Sequence, residues 1–346
     1  MRLFSYSNGG ASMMNFVGKK VRDDVVSDLG VTLIPAGSML DEELIGMLGN
    51  HRVDLYNLEL LNPAPNPVIN FVDQAVLRSK ELFESIGLTG KVPVEDVKGE
   101  VIPLVLQVSQ HSNLFQLFES VKAVDEYTYQ HNIGVGILST LIGRWMELPD
   151  EELEILSLAG TLHDVGKVYI PADILNKPDK LTSEEYEQVK LHAEFGYDLL
   201  CRVPYLDPRI PLAALQHHER NDGRGYPLGV KEHEIELFSK IIAVADIFHA
   251  MSSRRSYHEP RAFYQIVEQM RDGIFGLLDP VIVTLFLDKI LEKLIGEMVL
   301  LTDGRIGEVI SLNPHQPLAP LVKAGEEFID LSRRTDIHIK SIFIPD

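Results

Sequence analysis

The chain is poor in thiols, in long apolar runs and in positive charge. Cys201 is the only cysteine among 346 residues, which excludes an intrachain disulfide and any metal site built on several thiolates, and suits a reducing compartment. The N-terminal MRLFSYSNGGASMMNF lacks the continuous apolar stretch of a signal peptide. The most apolar helical run, IGVGILSTLIG, ends after 11 residues at Arg144, well short of the ~20 that a membrane span needs. A cytoplasmic protein with no membrane insertion is expected. Lys and Arg number 32 against 51 acids, a formal net charge of −19. Such a chain repels nucleic acid and anionic membranes, so an anionic substrate has to be small and compensated locally. There is no internal repeat and no low-complexity tract.

What is present is the composition of a folded protein, 45% hydrophobic and 24% charged, with length enough for two or three domains. Residues 17–60 begin with short extended runs around KKVRDDVV and GVTLIPAG, followed by a short helix at DEELIGMLGNH. LNPAPNPV then crowds three prolines into eight residues, a linker or sharp boundary. From about 69 to 295 the pattern is almost wholly helical. In HNIGVGILSTLIGRWM, residues His131, Gly134, Val135, Leu138, Leu141, Ile142 and Trp145 fall on one face at helical spacing. LPDEELEILSLAGTLHDVGK opens with Pro149 and a run of acids and is expected to stop near Gly166. Thr182 and Glu185 form a candidate capping box, FSKIIAVADIFHAMSS reads as an apolar helix, and Asp279-Pro280 opens the last long helix. Beyond 295, Val/Ile-rich runs flank Asp303-Gly304, a hairpin signal that predicts a small β unit. The expected division is a small α/β module over 1–62, connecting helices over 63–120, a helical domain over 121–295 and a β extension over 296–346.

Chemistry gathers in the helical part. A histidine on an apolar helix is ordinarily a hydrogen-bonded core residue. Here His131, His163, His192, His217 and His218 all lie near glycine turns or acids within apolar helices, and the set changes the reading. Asp164 follows SLAGTLH and Asp246 follows IIAVA, so both carboxylates head for a helical interior, where an unpaired charge costs several kcal/mol. No Lys or Arg stands in the stretches just before them, which makes a bound cation the economical counter-charge. Imidazole and carboxylate donors without thiolate suit iron, manganese, zinc or nickel and argue against an all-oxygen calcium or magnesium cage. Five imidazoles and two carboxylates are too many for one closed site, so two divalent transition-metal ions sharing a carboxylate fit better. His163 and Asp164, about 100° apart on a helix, make Asp164 the expected bridge. Paired ions acidify a shared water and clamp the oxygens of a phosphoryl transfer, so a phosphohydrolase is the first expectation.

The motifs LHDVGK, HAEFG, HHERNDGRGYP and VADIFHAMSSRRSY, preceded by DEYTYQHNIGV, resemble in order the series of the HD-GYP domain family, over roughly residues 121 to 295. The resemblance implies a mainly α protein with a helical HD-GYP bundle. It also implies hydrolysis of cyclic di-GMP to linear pGpG and/or GMP by attack of a metal-bridging hydroxide. By motif, the metal ligands would be His131, His163, Asp164, His192, His217, His218 and Asp246, with iron or manganese the foremost ions. Asp164 and Lys167 would be catalytic. Lys167 and Arg255 match positions that hold phosphate or guanine, and the loop carrying Gly225 and Tyr226 would border the substrate and contact protein partners. Arg220 and Arg224 are weaker candidates in that loop. Glu219 is expected to orient an imidazole.

Several positions depart from the family pattern. Tyr127 stands where some members have a glutamate for a third metal, which keeps the expected count at two. His249 replaces a common aspartate, Ser256 a proline, and His258 a basic residue. The altered RRSYH segment leaves open a cyclic di-GMP receptor that signals without turnover, and the breadth of substrates among His-Asp helical hydrolases leaves open a phosphohydrolase of another cyclic dinucleotide or nucleotide.

Overall fold

The computed structural model describes residues 19, 21–27, 31–51, 58, 67–111, 113–121, 127–177, 179–253, 262–273 and 276–342. The chain divides into two units, residues 1–66 with 344–346, and residues 67–343. In the first unit β1 (Val25–Val26) pairs antiparallel with β2 (Thr32–Ile34), and α1 (Glu42–Asn50) follows. The Asp41 carboxylate caps α1, accepting from the Leu44 amide at 2.7 Å. Val21, Val25, Ile34, Leu40, Ile45 and Leu48 form its core.

The second unit opens with α2 (Pro67–Thr89). Two residues of LNPAPNPV therefore begin a helix, where proline's fixed φ is tolerated; residues 61–66 of that stretch lie outside the described residues. A helical segment runs from Val94 through a π-helical turn, Val97–Val101, into α3 (Ile102–Val108), and α4 (Leu114–Val121) follows. Next come α5 (Tyr127–Trp145) and α6 (Asp150–Leu162), whose first turn carries three acids at the positive end of the helix dipole. A 3₁₀ segment, Val165–Tyr169, and a single turn, Ala172–Leu175, lead to α7 (Ser183–Lys190). Then follow α8 (His192–Cys201), α9 (Arg209–Gln216), α10 (Leu237–Ser252), α11 (Phe263–Gly273) and α12 (Pro280–Glu292).

The capping box expected at Thr182 is present: its hydroxyl accepts from the Glu185 amide at 3.2 Å while the Glu185 carboxylate accepts from the Thr182 amide at 2.7 Å. Asp279 caps α12 ahead of Pro280 as expected. Two expectations are corrected. Helix α5 is not buried along one face; every residue from Ile133 to Gly143 is buried, because α5 is the central rod, contacted by α2, α3, α4, α6, α10 and α12. Helix α6 stops at Leu162 rather than near Gly166, and the chain tightens into the 3₁₀ segment.

Close approach of α5 and α6 depends on glycine. A Cβ on Gly160 would sit 3.1 Å from the Gly136 Cα, and one on Gly136 would sit 2.5 Å from the Thr161 hydroxyl. A buried Thr140–Ser157 hydrogen bond of 2.6 Å ties the same pair of helices. The C-terminal part is an antiparallel sheet in the order β6-β5-β4-β3-β7, with β3 Met298–Leu301, β4 Ile306–Ser311, β5 Leu321–Ala324, β6 Glu327–Asp330 and β7 Ile339–Ile342. The expected hairpin joins β3 and β4, with Gly304 at φ +93°. Val299, Leu301, Val309, Val322 and Ile339 are fully buried, and β7 packs on α11. The fold is thus mainly α, with small sheets near both ends of the chain.

Candidate metal centre

Residues from α5, α6, the 3₁₀ segment, α8, α9 and α10 converge. His131 sits in the second turn of α5, and its Nε2 lies 3.1 Å from Asp246 Oδ1 of α10 and 3.6 Å from Asp164 Oδ2. His163 Nε2 is 3.3 Å from Asp164 Oδ2. From the other side His192 Nε2 approaches Asp164 Oδ1 at 3.2 Å and His217 Nε2 at 3.7 Å. His218 Nδ1 stands 3.9 Å from Asp246 Oδ2. All seven side chains expected to act together are therefore gathered, and two groups of donor atoms within ligating range of one another share Asp164: His131, His163 and Asp164, and Asp164, His192, His217 and His218.

Local structure aims three of the rings. His163, at the C-terminus of α6, donates from Nδ1 to the Gly160 carbonyl at 2.7 Å. His192 donates to Val189 at 2.6 Å, and His217 to Ala214 at 2.9 Å. Each bond uses a carbonyl three residues back and turns Nε2 inward, where the Nε2 atoms of His192 and His217 lie 3.3 Å apart. The 3₁₀ segment sits tight on α8, since a Cβ on Gly166 would lie 2.0 Å from the His192 carbonyl oxygen. His163 and Asp164 do not project from one helix as the sequence suggested. Asp164 leaves helical geometry at φ −99°, ψ 12°, and that turn carries its carboxylate between the two groups of imidazoles.

A second correction concerns the counter-charge. The Lys167 ammonium, one 3₁₀ turn beyond, pairs directly with Asp164 Oδ2. Burial pushes the Asp164 carboxyl up, but Lys167 and His163 outweigh it and hold the group well below the usual carboxylate range. Asp246 likewise is raised by burial and brought well below that range by His131 and His218. Burial pushes His192 down to about 3. It also lowers His131, against the pull of Asp246, and lowers His218, helped by the neighbouring His217. At His163 burial works downward, but Asp164 prevails and the imidazole titrates above its ordinary value. Two carboxylates face one lysine, so the remaining negative charge falls to His163 or to a bound cation to balance. His163 Nε2 and Asp164 Oδ1 are buried polar atoms without a hydrogen-bond partner, a costly state that a coordinated ion relieves. The donor set, imidazole and carboxylate without thiolate, fits a divalent cation.

The Gly-Tyr-Pro loop forms one wall. The Tyr226 ring lies over His218 with centroids 4.7 Å apart and planes inclined by 32°, and burial raises its phenol, so it stays protonated. Lys190, which no motif marks, stands 5.7 Å from the centroid of that ring and pairs with Glu187 at 2.7 Å. Gly225 is pressed on the backbone of the histidine pair: a Cβ there would meet the Arg220 amide nitrogen at 2.5 Å and the His218 carbonyl oxygen at 2.6 Å. Glu219 does not orient an imidazole. Its buried carboxylate accepts from the amides of Leu228, Gly229 and Val230 at 2.7, 3.1 and 3.2 Å, and so holds the returning arm of the loop. Arg220 pairs with Asp222 at 2.8 Å, and Arg224 is exposed. Arg255, Ser256 and His258 lie outside the described residues.

Comparison with known proteins agrees with this geometry. A family model described as an HD domain matches residues 116–280. The chain is 35% identical over 216 residues to a cyclic di-GMP phosphodiesterase of Pseudomonas aeruginosa, covering 62% of this chain and 52% of that protein. It is 39% identical over 191 residues to a cyclic di-GMP phosphodiesterase of Thermotoga maritima, covering 54% and 51%. A 3′3′-cGAMP-specific phosphodiesterase of Vibrio cholerae is 36% identical over 162 residues, covering 46% and 35%. The chain thus spans about half the length, or less, of these relatives. Among solved structures, an HDG“Y”P protein of Bdellovibrio bacteriovorus shares the fold, with a TM-score of 0.53 at 15% identity over 80% of this chain and 96% of that one. No helix among the described residues is long and apolar enough to cross a membrane. Over residues 116–280 the chain thus matches the HD-domain family model, and its fold there is similar to that of an HDG“Y”P protein.

Proposed function

We propose that this chain is a metal-dependent phosphodiesterase that hydrolyses cyclic di-GMP to linear pGpG and/or GMP. The observation that carries the reading is the sharing of Asp164 between two groups of imidazoles, the arrangement suited to a binuclear centre. In this reading His131, His163, Asp164, His192, His217, His218 and Asp246 would hold the ions, with Asp164 within reach of both groups of imidazoles, and the ions would be iron or manganese, with zinc or nickel as alternatives. Two such ions polarise a phosphodiester and acidify water at neutral pH. The catalytic domain is residues 121–295, and 1–62 and 296–346 are accessory to it.

The protein's own groups do the rest. The Nδ1–H bonds of His163, His192 and His217 lock their rings, so the centre is organised before substrate arrives. Lys167 reaches Asp164 Oδ2 and from there supplies positive charge to phosphate oxygens. Tyr226, kept protonated, offers a hydroxyl donor and a ring face along the His218 wall, and Lys190 adds positive charge at its edge. Arg255 is assigned to phosphate or guanine on motif alone. The loop held by Glu219 is the surface proposed for protein partners.

A second reading rests on the Vibrio cholerae relative named for 3′3′-cGAMP: the same centre with a different cyclic dinucleotide preferred. Metal analysis of anaerobically purified protein, run beside hydrolysis assays on cyclic di-GMP and 3′3′-cGAMP, tests both. About two ions per chain and linear product from cyclic di-GMP are expected. Faster turnover of 3′3′-cGAMP selects the second reading. Binding without hydrolysis of either selects a receptor.

A further inference from the structure

Helix α7 carries side chains that neither packing nor the metal reading uses. None of its residues is buried, yet its last turn is tied to the centre, because the Val189 carbonyl accepts from the His192 ring at 2.6 Å. Tyr186 and Lys190, one helical turn apart, share a face. The Lys190 ammonium stands 5.5 Å from the Tyr186 ring centroid and 5.7 Å from that of Tyr226, the ring that lies over His218. It also pairs with the Glu187 carboxylate at 2.7 Å. The Glu187 side chain is 68% exposed and that of Lys190 25%, and Tyr186 is 49% exposed. An ion pair so exposed adds little to stability, and it stands with an open ring face beside the Tyr226 wall.

The pair sets a donor beside an acceptor. An ammonium has three hydrogens and no lone pair, and an ionised carboxylate only accepts. Their mutual bond leaves two ammonium hydrogens and a second carboxylate oxygen for a ligand. Guanine presents the complement on its Watson–Crick edge, the O6 acceptor beside the N1–H and N2–H donors. Adenine presents the reverse, an N6 amino donor beside the N1 lone pair, so that ammonium would meet amino hydrogens and carboxylate would meet a lone pair. Unstacked bases are held with a face against an aromatic ring and an edge against polar side chains, and α7 offers both.

We propose that Lys190 and Glu187 are specificity-determining residues that read the edge of one guanine while its face rests on the Tyr186 ring. The cyclic dinucleotide belongs to the phosphodiesterase reading above, on which this rests; the preference for guanine over adenine stands on the order of donor and acceptor. Because one base is read, cyclic di-GMP and 3′3′-cGAMP both satisfy the pair, and cyclic di-AMP does not.

The test is kcat/KM of the metal-loaded full chain on cyclic di-GMP, 3′3′-cGAMP and cyclic di-AMP. Cyclic di-AMP should be about 10- to 100-fold poorer than the other two, the discrimination that a good paired contact to a base edge provides. Glu187→Ala and Lys190→Ala, at exposed positions where alanine suits a helix, should each narrow that gap by slowing the two guanine-bearing substrates. Exchanging the pair, Glu187→Lys with Lys190→Glu, keeps the ion pair but reverses donor and acceptor, and should turn the preference toward cyclic di-AMP; a merely structural ion pair would leave it where it was. Equal losses on all three substrates would assign Lys190 to phosphate and overturn the proposal. So would ready use of cyclic di-AMP by the unaltered chain, a gap that survives both alanine variants, or an exchanged pair with the original preference. Should the chain bind cyclic di-GMP without cleaving it, the phosphodiesterase reading fails, and the ratios of Kd for the same three ligands, measured by calorimetry, test the pair on the same terms. Binding of none of them overturns both.

Discussion

Three imidazoles of the centre, His163, His192 and His217, differ from another, His131, in what aims them. His163, His192 and His217 each bond a carbonyl three residues back, so the turn that creates the residue also sets its ring. His131 is held by His249, 118 positions away, and is correct only when α5 and α10 are already packed. A locally held ligand survives rearrangement elsewhere; a remotely held one reports on tertiary structure. The two kinds meet at Asp164, which both approach.

The comparison can be broken first at that shared carboxylate. Asp164→Ala should remove the proposed metal binding and phosphodiesterase activity together, by more than the roughly 100-fold that losing an outer partner costs, as read by metal analysis and product formation. Retained activity contradicts the bridging role. Next, Gly166→Ala strikes the locally held side, because its new Cβ would collide with the His192 carbonyl. Overpacking against backbone should cost about 3 kcal/mol and lower Tm by several degrees, seen by calorimetry of the metal-free chain.

Acid gives a smaller effect. With His192 pushed down to about 3 in the fold and ~6.5 when unfolded, the unfolded chain binds the extra proton first. Stability of the metal-free protein is then full above pH ~6.5 and declines as pH falls toward 3. His163, raised in the fold, opposes this, since its contribution is present below ~6.5 and lost as pH rises. Urea midpoints at pH 7 and 5 should reveal a net loss on the order of 1 kcal/mol on acidification; a gain would show that His163 dominates. The smallest change is expected from Glu219→Gln, which weakens three amide bonds at a cost of about 1 kcal/mol while leaving metal affinity unaltered. Lost metal would restore Glu219 to the role of orienting an imidazole.

What was legible in the sequence follows the same divide. The capping box at Thr182, the Asp279-Pro280 start of α12 and the hairpin at Asp303-Gly304 all rest on contacts within a few residues, and each stands in the fold. The histidines and aspartates were legible because their motifs are compact and keep their order. The misreadings involve partners made by the fold. The helix before Asp164 carries no cation near it, yet the 3₁₀ turn after it delivers Lys167. Glu219 adjoins the histidine pair in sequence, but the loop returns three amides to it from residues 228–230. His249 looked like a departure from a family pattern, and nothing in its neighbourhood announced Val121 or His131 as partners.

The crossing of α5 and α6 at Gly136 and Gly160 has a consequence for how such a protein tolerates change. Because main chain meets main chain there, the gap between the elements bearing His131 and His163 is gauged by peptide groups rather than by leucine or isoleucine volumes. Neighbouring apolar residues are then free to drift in size at a cost in stability alone, while the calibre of the centre stays the same.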